Sequence, residues 1–149
     1  MDNQDQVSLL QGEQERRRKL DAKKDDLAKR VYDLVNSQFN ALPQPAQLQN
    51  LRSLAASTDS LEELKIYIRY QTSRTSQPPI RPEFGDPLVR IIETLGQEEL
   101  AIEQVRLFLG YLYRFARYRS RNPPTTSREQ RPSTGRSGGN RRILLVSRR

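Results

Sequence analysis

The residue types with the clearest chemistry lie on one edge of the longest apolar-rich stretch, Leu100 to Arg121. Residues spaced by four, four, three and four positions lie along one edge of a helix. We call this edge the ridge, and its members are Arg106, Gly110, Arg114, Arg117 and Arg121. Tyr111 and Tyr118 lie beside the ridge. Guanidinium groups fit phosphate oxygens and tyrosine rings stack on bases, so the pattern predicts an edge that faces nucleic acid. A core helix whose arginines are only solvated is the alternative.

The opposite side of the same stretch is a broad apolar face, formed by Ile102, Val105, Phe108, Leu109, Leu112, Tyr113, Phe115 and Ala116. A face this wide predicts neighbours on more than one side. An earlier segment, Leu61 to Arg74, repeats the arrangement, because Lys65 and Arg69 form an outer edge beside Ile66 and Tyr70. Arg74 ends that segment.

The chain offers little to a catalytic or metal site. It has no Cys and no His, which excludes disulfides and any site built on those ligands. No phosphate-binding loop, dinucleotide fingerprint, zinc-protease or hydrolase motif is present. The carboxylate pairs Glu62–Glu63 and Glu98–Glu99 each stand at a helix start, where they complement the helix dipole. We therefore predict a protein that is not an enzyme and uses no cofactor.

The positive charge is concentrated at the C-terminus. Residues 1–118 hold 17 basic and 17 acidic side chains, whereas residues 119–149 hold 9 arginines and one acid, giving 9 − 1 = +8. A basic tail on a neutral body predicts an anionic polymer as the partner. The absence of an apolar leader and of a long apolar run predicts a cytoplasmic protein with no membrane contact.

The order of helical patterns predicts an all-α bundle of about five helices. We expect residues 1–12 to be disordered, residues 13–121 to form the helical bundle, and residues 122–149 to be a basic low-complexity tail. Pro43 and Pro45 end the first helix, the sequence from Thr75 to Gly85 predicts a loop, and Asp86 is expected to cap the fourth helix. The terminal segment Ile143–Val146 has no evident partner.

At the level of a family, Gln47 to Arg74 resembles the small helical subunit of type III CRISPR effector complexes. The sequence "QLQNLRSLAASTDSLEELKIYIRYQTSR" has that subunit's pattern, with Lys65, Tyr70 and Arg74 at the matching positions. Leu88–Ile92 and "VRLFLGYLYRFARY" look like its closing pair of helices. The resemblance covers about residues 40–121, but Tyr113–Arg114 stands where the family often has an acidic residue, and the Arg-rich tail is outside its pattern.

The resemblance implies a non-catalytic subunit that binds the crRNA–target RNA strand and stacks with other subunits of the complex and with copies of itself. The nucleic-acid contacts would then be sugar and phosphate contacts, because base pairing with the guide supplies sequence specificity. No small-molecule substrate is expected. The candidate binding residues are Lys65, Arg69, Arg74, Arg106, Arg114, Arg117, Arg121, Tyr111 and Tyr118.

A second interpretation is a free-standing helical adaptor that binds another protein through Leu107, Tyr111, Ile66 and Tyr70. Salt dependence separates the two, since binding through arginines weakens steeply with salt and an apolar interface does not. A DNA-binding helix-turn-helix protein ranks third, because no short glycine-containing turn joins two suitably polar helices.

Overall fold

The computed structural model describes residues 2–124, which form five α-helices and no β-strand. The helices are α1 (Asn3–Ser37), α2 (Pro45–Ser57), α3 (Leu61–Ser73), α4 (Pro82–Leu95) and α5 (Ala101–Arg121), with a 3-10 turn at Phe39–Ala41. The prediction of a small all-α bundle of five helices is confirmed. From residue 125 onward the predicted basic tail and the segment Ile143–Val146 lie outside the described residues.

Helix α5 is the central element of the bundle. Helices α1 and α2 pack along its two sides, while α3 packs chiefly on α4. Helices α1 and α5 run parallel, since Arg16 pairs with Glu103 near the start of α5 and Tyr32 packs on Phe115 towards its end. The wide apolar face of α5 therefore has the neighbours on more than one side that its sequence predicts.

The core is made of aliphatic side chains from all five helices around two phenylalanines. Phe84 on α4 and Phe108 on α5 are fully buried, and Ile80 anchors the loop before α4 in the same core. Burying each such side chain contributes about 1.5–3 kcal/mol against the entropy of the folded chain. The predicted core face of α5 is confirmed at Val105, Phe108, Leu109, Leu112 and Ala116, whereas Ile102, Tyr113 and Phe115 are half-buried at its borders.

Three helices begin at a proline or after a serine, residues that suit a helix N-terminus. Pro45 and Pro82 each occupy the first turn of a helix, where the missing N–H has no intrahelical partner to lose. Ser60 caps α3, because its hydroxyl accepts from the backbone N–H of Glu63 at 3.1 Å.

Helix α1 begins earlier than the sequence predicts. The sequence predicts disorder over residues 1–12, but Asn3–Gly12 belong to α1 and are exposed along their whole length. Once the packed half of α1 has formed, each further residue adds a hydrogen bond without a new nucleation step. We call the exposed segment from Asp2 to Glu15 the overhang.

Helix α4 also begins earlier than expected. The predicted loop from Thr75 to Gly85 ends at Arg81, because Pro82 starts the helix and Pro87 lies inside it. Gly85 faces α3, and a Cβ atom built on it would lie 2.5 Å from Cγ2 of Thr72. The glycine is therefore explained by a close helix crossing, and the expected capping role of Asp86 is wrong.

The turn between α4 and α5 depends on a leucine in a left-handed conformation. Leu100 has φ 56°, whereas Gly96, at the C-terminal end of α4, has φ −64°. Buried Gln104 holds the turn, since its side-chain amide donates to the carbonyl oxygen of Glu99 at 2.8 Å. No helix within residues 2–124 has the length and apolar character that crossing a bilayer requires.

Candidate nucleic-acid interface

Arg106, the first arginine of the predicted ridge, is committed to the fold. Its Nε donates to the carbonyl oxygen of Ala55 at 2.8 Å, and its Nη2 donates to the carbonyl oxygen of Thr58 at 2.9 Å and contacts Asp59 at 3.1 Å. Ala55 lies in the last turn of α2, whose final carbonyl groups have no partner within the helix. Nε and Nη2 of Arg106 therefore already have acceptors inside the molecule, which disfavours its predicted role as a nucleic-acid contact.

The basic edge of α3 is also largely paired within the chain. Lys65 forms an ion pair with Glu62 and its side chain is only 17% exposed. Arg69 pairs with Glu93 of α4 at 3.5 Å. Arg74 donates to Gln71 at 3.1 Å and lies over the ring of Tyr70, 5.6 Å from its centroid. Because α3 packs on α4 and not along α5, its basic edge and that of α5 do not form one continuous groove.

Several arginines in residues 2–124 have no carboxylate partner. Three of them share the outer edge of α5, and another lies on α2. Arg114, Arg117 and Arg121 stand on successive turns of the exposed side of α5. Arg52 on α2 has no carboxylate partner in this range either, although its Nη1 donates to Gln49 at 3.2 Å. The arginine patch is defined here as Arg52, Arg114, Arg117 and Arg121. An exposed cation with no counter-ion is free to bind an external anion.

Tyr113 joins the α2 side of this patch to α5. The guanidinium carbon of Arg52 lies 5.0 Å from the ring centroid of Tyr113, and that of Arg117 lies 5.6 Å from it. Nη1 of Arg117 also donates to the Tyr113 hydroxyl at 2.9 Å. Contact with an aromatic ring stabilises a guanidinium by about 0.5–1 kcal/mol at exposed sites. The ring therefore holds two positive charges close together without neutralising either.

An aromatic groove runs along the other side of α5, against α1. It has a volume of about 310 Å³ and is lined by Ala28, Val31, Tyr32, Tyr111, Arg114, Phe115 and Tyr118. The rings of Tyr32 and Phe115 meet edge to face at 4.8 Å, and Phe115 stacks with Tyr118 at 5.9 Å. Tyr32 is 49% exposed and Tyr118 is 56% exposed. Each is therefore about half accessible to solvent in a groove that Arg114 also lines.

The charges at the opposite end of α5 are arranged differently. The groove between α1 and the α4–α5 turn contains Lys19 and Lys23, which pair with Glu99 and Glu98 respectively at 3.3 Å. Lys24 pairs with Asp21 at 2.8 Å, and that hydrogen-bonded carboxylate raises the pKa of the Lys24 ammonium above its usual value. Because Arg106 is the one α5 arginine with a carboxylate partner among the described residues, the unpaired cations of α5 lie towards its C-terminal end.

Two residues of the interface, Tyr32 and Arg52, were not among the predicted site residues. Tyr32 follows the buried Val31 on α1, so a partly exposed tyrosine beside an apolar stripe, the pattern recognised on α3 and α5, could have identified it. Arg52 has no such local signal, because its aromatic partner Tyr113 is far away along the chain. Arg114, Arg117, Arg121, Tyr111 and Tyr118 do lie on the exposed or half-exposed edge of α5 where the sequence places them.

The arrangement is suited to binding and holds no cluster of metal-ligating side chains within residues 2–124. Guanidinium groups donate to phosphate oxygens, and exposed tyrosine rings stack on unpaired bases. Comparisons of the chain with protein-family models, with curated proteins and with solved structures give no match.

Proposed function

We propose that this chain is a non-catalytic, RNA-binding subunit of a type III CRISPR RNA-guided effector complex, and that it holds the crRNA–target RNA strand along the outer edge of α5. The proposal combines the resemblance of residues 40–121 to the small helical subunit with the arginine patch. The patch is the observation that carries it, because its four cations have no carboxylate partner among the described residues and lie around the predicted ridge.

The dimensions of the patch suit a nucleic-acid backbone. Arg114 and Arg121 are two helical turns apart, which corresponds to about 10 Å along the helix axis. Arg117 lies between them on the same exposed edge, and Arg52 extends the positive charge towards α2. Neighbouring phosphates of one strand can each accept from a different guanidinium. Such contacts position a strand but carry no sequence information, as expected where the guide supplies specificity.

The aromatic groove favours a strand with accessible bases. In a continuous duplex the base faces are stacked on each other, whereas an unpaired or splayed base can stack on Tyr32 or Tyr118. Alanine substitution at such stacking platforms typically costs about 1–3 kcal/mol per base. Arg114 lies within this groove, so one side chain can contact the phosphate of the nucleotide whose base is stacked.

The test compares two triple variants of the full chain that lose the same charge. The first replaces Arg114, Arg117 and Arg121 with alanine. The control replaces Arg17, Arg18 and Arg90, three exposed arginines on α1 and α4 outside the patch. The measured quantity is affinity for single-stranded RNA as a function of salt, for the protein alone and for the assembled complex.

The patch variant loses three guanidinium–phosphate pairs. The slope of log K against the logarithm of the salt concentration should therefore become less steep by about 2 on single-stranded RNA. This change should appear for every RNA sequence, while the control should stay close to the native protein. Equal effects of the two variants would show that only net charge matters and would remove the patch from the proposal. Thermal unfolding should be nearly unchanged in both, because exposed charges contribute little to stability.

A protein-binding adaptor remains the second candidate because of one observation on α3. Ile66 and Tyr70 stand one helical turn apart on its exposed side, and they are 66% and 59% exposed. Leu107 and Tyr111, the other half of that hypothesis, instead pack partly against the core. Replacing Ile66 and Tyr70 with serine should leave RNA affinity unchanged. Loss of complex assembly in that variant would assign the α3 side to a protein interface.

A further inference from the structure

The overhang of α1 has a composition unlike the rest of the helix. It carries Asp2, Asp5, Glu13 and Glu15 and no basic residue. Glu13 and Glu15 pair with Arg17 and Arg18 in the next turn, but Asp2 and Asp5 have no cation partner within the described residues. The positive charge of this part of α1 therefore begins only at Arg16.

Three apolar side chains of the overhang are uncovered. Val7 is 52% exposed, Leu9 is 62% exposed and Leu10 is 63% exposed. Leu9 continues the stripe that becomes the buried face of α1, since Arg16, Leu20 and Leu27 follow it at steps of seven, four and seven residues. The core side of α1 thus extends beyond the bundle with nothing packed against it in residues 2–124.

A helix of this kind gains little stability by itself. The overhang continues α1 and needs no new nucleation step, but nothing in residues 2–124 packs against it to add stability. The overhang is polar, and Gly12 in its interior favours the helix less than alanine would. A segment that covers Leu9 and Leu10 would supply the missing burial.

The C-terminal end of the same chain has the complementary composition. Ile143, Leu144, Leu145 and Val146 form a short apolar run. Arg141 and Arg142 precede the run, and Arg148 and Arg149 follow it after Ser147. Asp2 and Asp5 of the overhang, which have no cation partner among the described residues, are thus opposite in charge to the arginines of this segment, and each set accompanies apolar side chains. Self-association of two overhangs would bring acids together instead.

The chain beyond the described residues is long enough to connect the two ends. Arg119 lies over the ring of Phe39, so α5 ends near the C-terminal end of α1. From there back to Leu9 is about 45 Å along the axis of α1. The 18 residues 125–142 can span about 60 Å when extended. A segment that starts at Arg141 can therefore reach the overhang of its own molecule.

We propose that Arg141–Arg149 docks on the overhang of the same molecule, placing its apolar run against Leu9 and Leu10 and its arginines beside the acids of α1. Docking would bring Arg141–Arg149 alongside the N-terminal end of α1. It accounts for a terminal apolar run that the nucleic-acid surface does not use, and it is independent of the proposed function.

Disulfide trapping tests the arrangement directly, because the native chain has no cysteine. Gln6 is the i−3 and i−4 neighbour of Leu9 and Leu10, so one variant of the full chain carries Gln6→Cys with Ser147→Cys. The control carries Lys29→Cys, an exposed position nearer the end of α5, with the same Ser147→Cys. A freely diffusing tail would meet position 29 more often.

Under mild oxidation of dilute protein, docking predicts an intramolecular disulfide at least about tenfold faster in the Gln6 variant than in the Lys29 control. High salt should reduce the difference, because screening weakens the attraction between exposed charges. A faster reaction in the Lys29 control would overturn the proposal. A disulfide formed only between molecules would overturn it as well, since the segment would then reach a neighbouring copy.

Hydrogen exchange gives a second measurement without cysteines. Replacing Arg141, Arg142, Arg148 and Arg149 with glutamate should accelerate exchange of the overhang amides at least about tenfold. The control replaces with glutamate the three arginines between the bundle and the segment, Arg128, Arg131 and Arg136, and should leave those amides unchanged. Equal exchange rates in both variants would contradict docking.

Discussion

The guanidinium of Arg106 and the carbonyl oxygen of Ala55 are joined by a 2.8 Å hydrogen bond between α5 and the last turn of α2. The same guanidinium donates to Thr58 beyond the helix end. One side chain therefore satisfies carbonyl groups that the end of α2 leaves open and fixes the α2–α3 turn against α5. This arginine shares the spacing of Arg114 and Arg117, yet its role is to hold helices together.

Arg106→Ala should destabilise the bundle. Hydrogen bonds to charged groups contribute about 1.5–3 kcal/mol each, and the substitution leaves the Ala55 carbonyl without its partner. We expect Tm to fall by on the order of 10 °C in a thermal melt followed by circular dichroism. Arg117→Ala is the matched control on the same helix, because its guanidinium contacts only Tyr113 among the described residues. Similar melting of the two variants would contradict the structural role of Arg106.

Gly85→Ala should also destabilise the fold, for a steric reason. An added Cβ would lie 2.5 Å from Cγ2 of Thr72 and 3.3 Å from Cγ2 of Ile80, so α3 and α4 would have to separate. Overpacking of this kind typically costs about 1–3 kcal/mol. Adding Thr72→Ser, which removes the nearest methyl group, should recover part of the stability in chemical denaturation. No recovery in the double variant would place the cause elsewhere.

The fold class and the core could be predicted because they depend on periodicity within each helix. The apolar positions of α5 repeat at helical spacing, and so do Leu64, Ile68 and Gln71 on α3, which are all buried. Helix ends were harder to predict. The sequence allows α4 to begin at Pro82 or after Asp86. The helix begins at Pro82 because Phe84 and Gly85 pack against α3.

The candidate site could be predicted only in part, because sequence spacing cannot tell a free arginine from a paired one. Arg106 and Arg114 occupy equivalent positions on the same ridge of α5. They differ in the residues brought near them by the rest of the chain, the end of α2 in one case and the aromatic groove in the other. Arg52 was missed for the same reason, since its place beside Tyr113 depends on the packing of α2 against α5.

Removal of residues 122–149 should leave the bundle folded and weaken its non-specific binding of nucleic acid. The removed segment holds 7 of the 26 basic residues and one acid, giving 7 − 1 = +6. For each phosphate that the shortened chain no longer binds, the salt dependence of log K should become flatter by about 0.7 on single strands and about 0.9 on duplex DNA. Far-UV circular dichroism should retain its helical minima. Unchanged affinity and unchanged salt dependence would show that the tail does not bind anions.

Gly110→Ala should have opposite effects on stability and on binding. Gly110 lies within α5, where glycine costs about 0.5–1 kcal/mol relative to alanine, and a Cβ built on it meets no atom within 4 Å. The free protein should therefore become more stable. On the other hand, Gly110, although itself buried, stands in the ridge one turn before Arg114, and its missing Cβ leaves an open space that a ligand backbone could enter. An added methyl group would obstruct that approach.

The measurements are the free energy of unfolding and the affinity for single-stranded RNA. Gly12→Ala is the control, because Gly12 is also helical and its Cβ also meets no atom within 4 Å, but it lies in the overhang of α1. We expect both variants to gain helix stability and only Gly110→Ala to lose RNA affinity. If both bind RNA as the native chain does, the strand does not pass over Gly110. In that case the contacts along α5 would begin at Arg114, with the aromatic groove as their boundary.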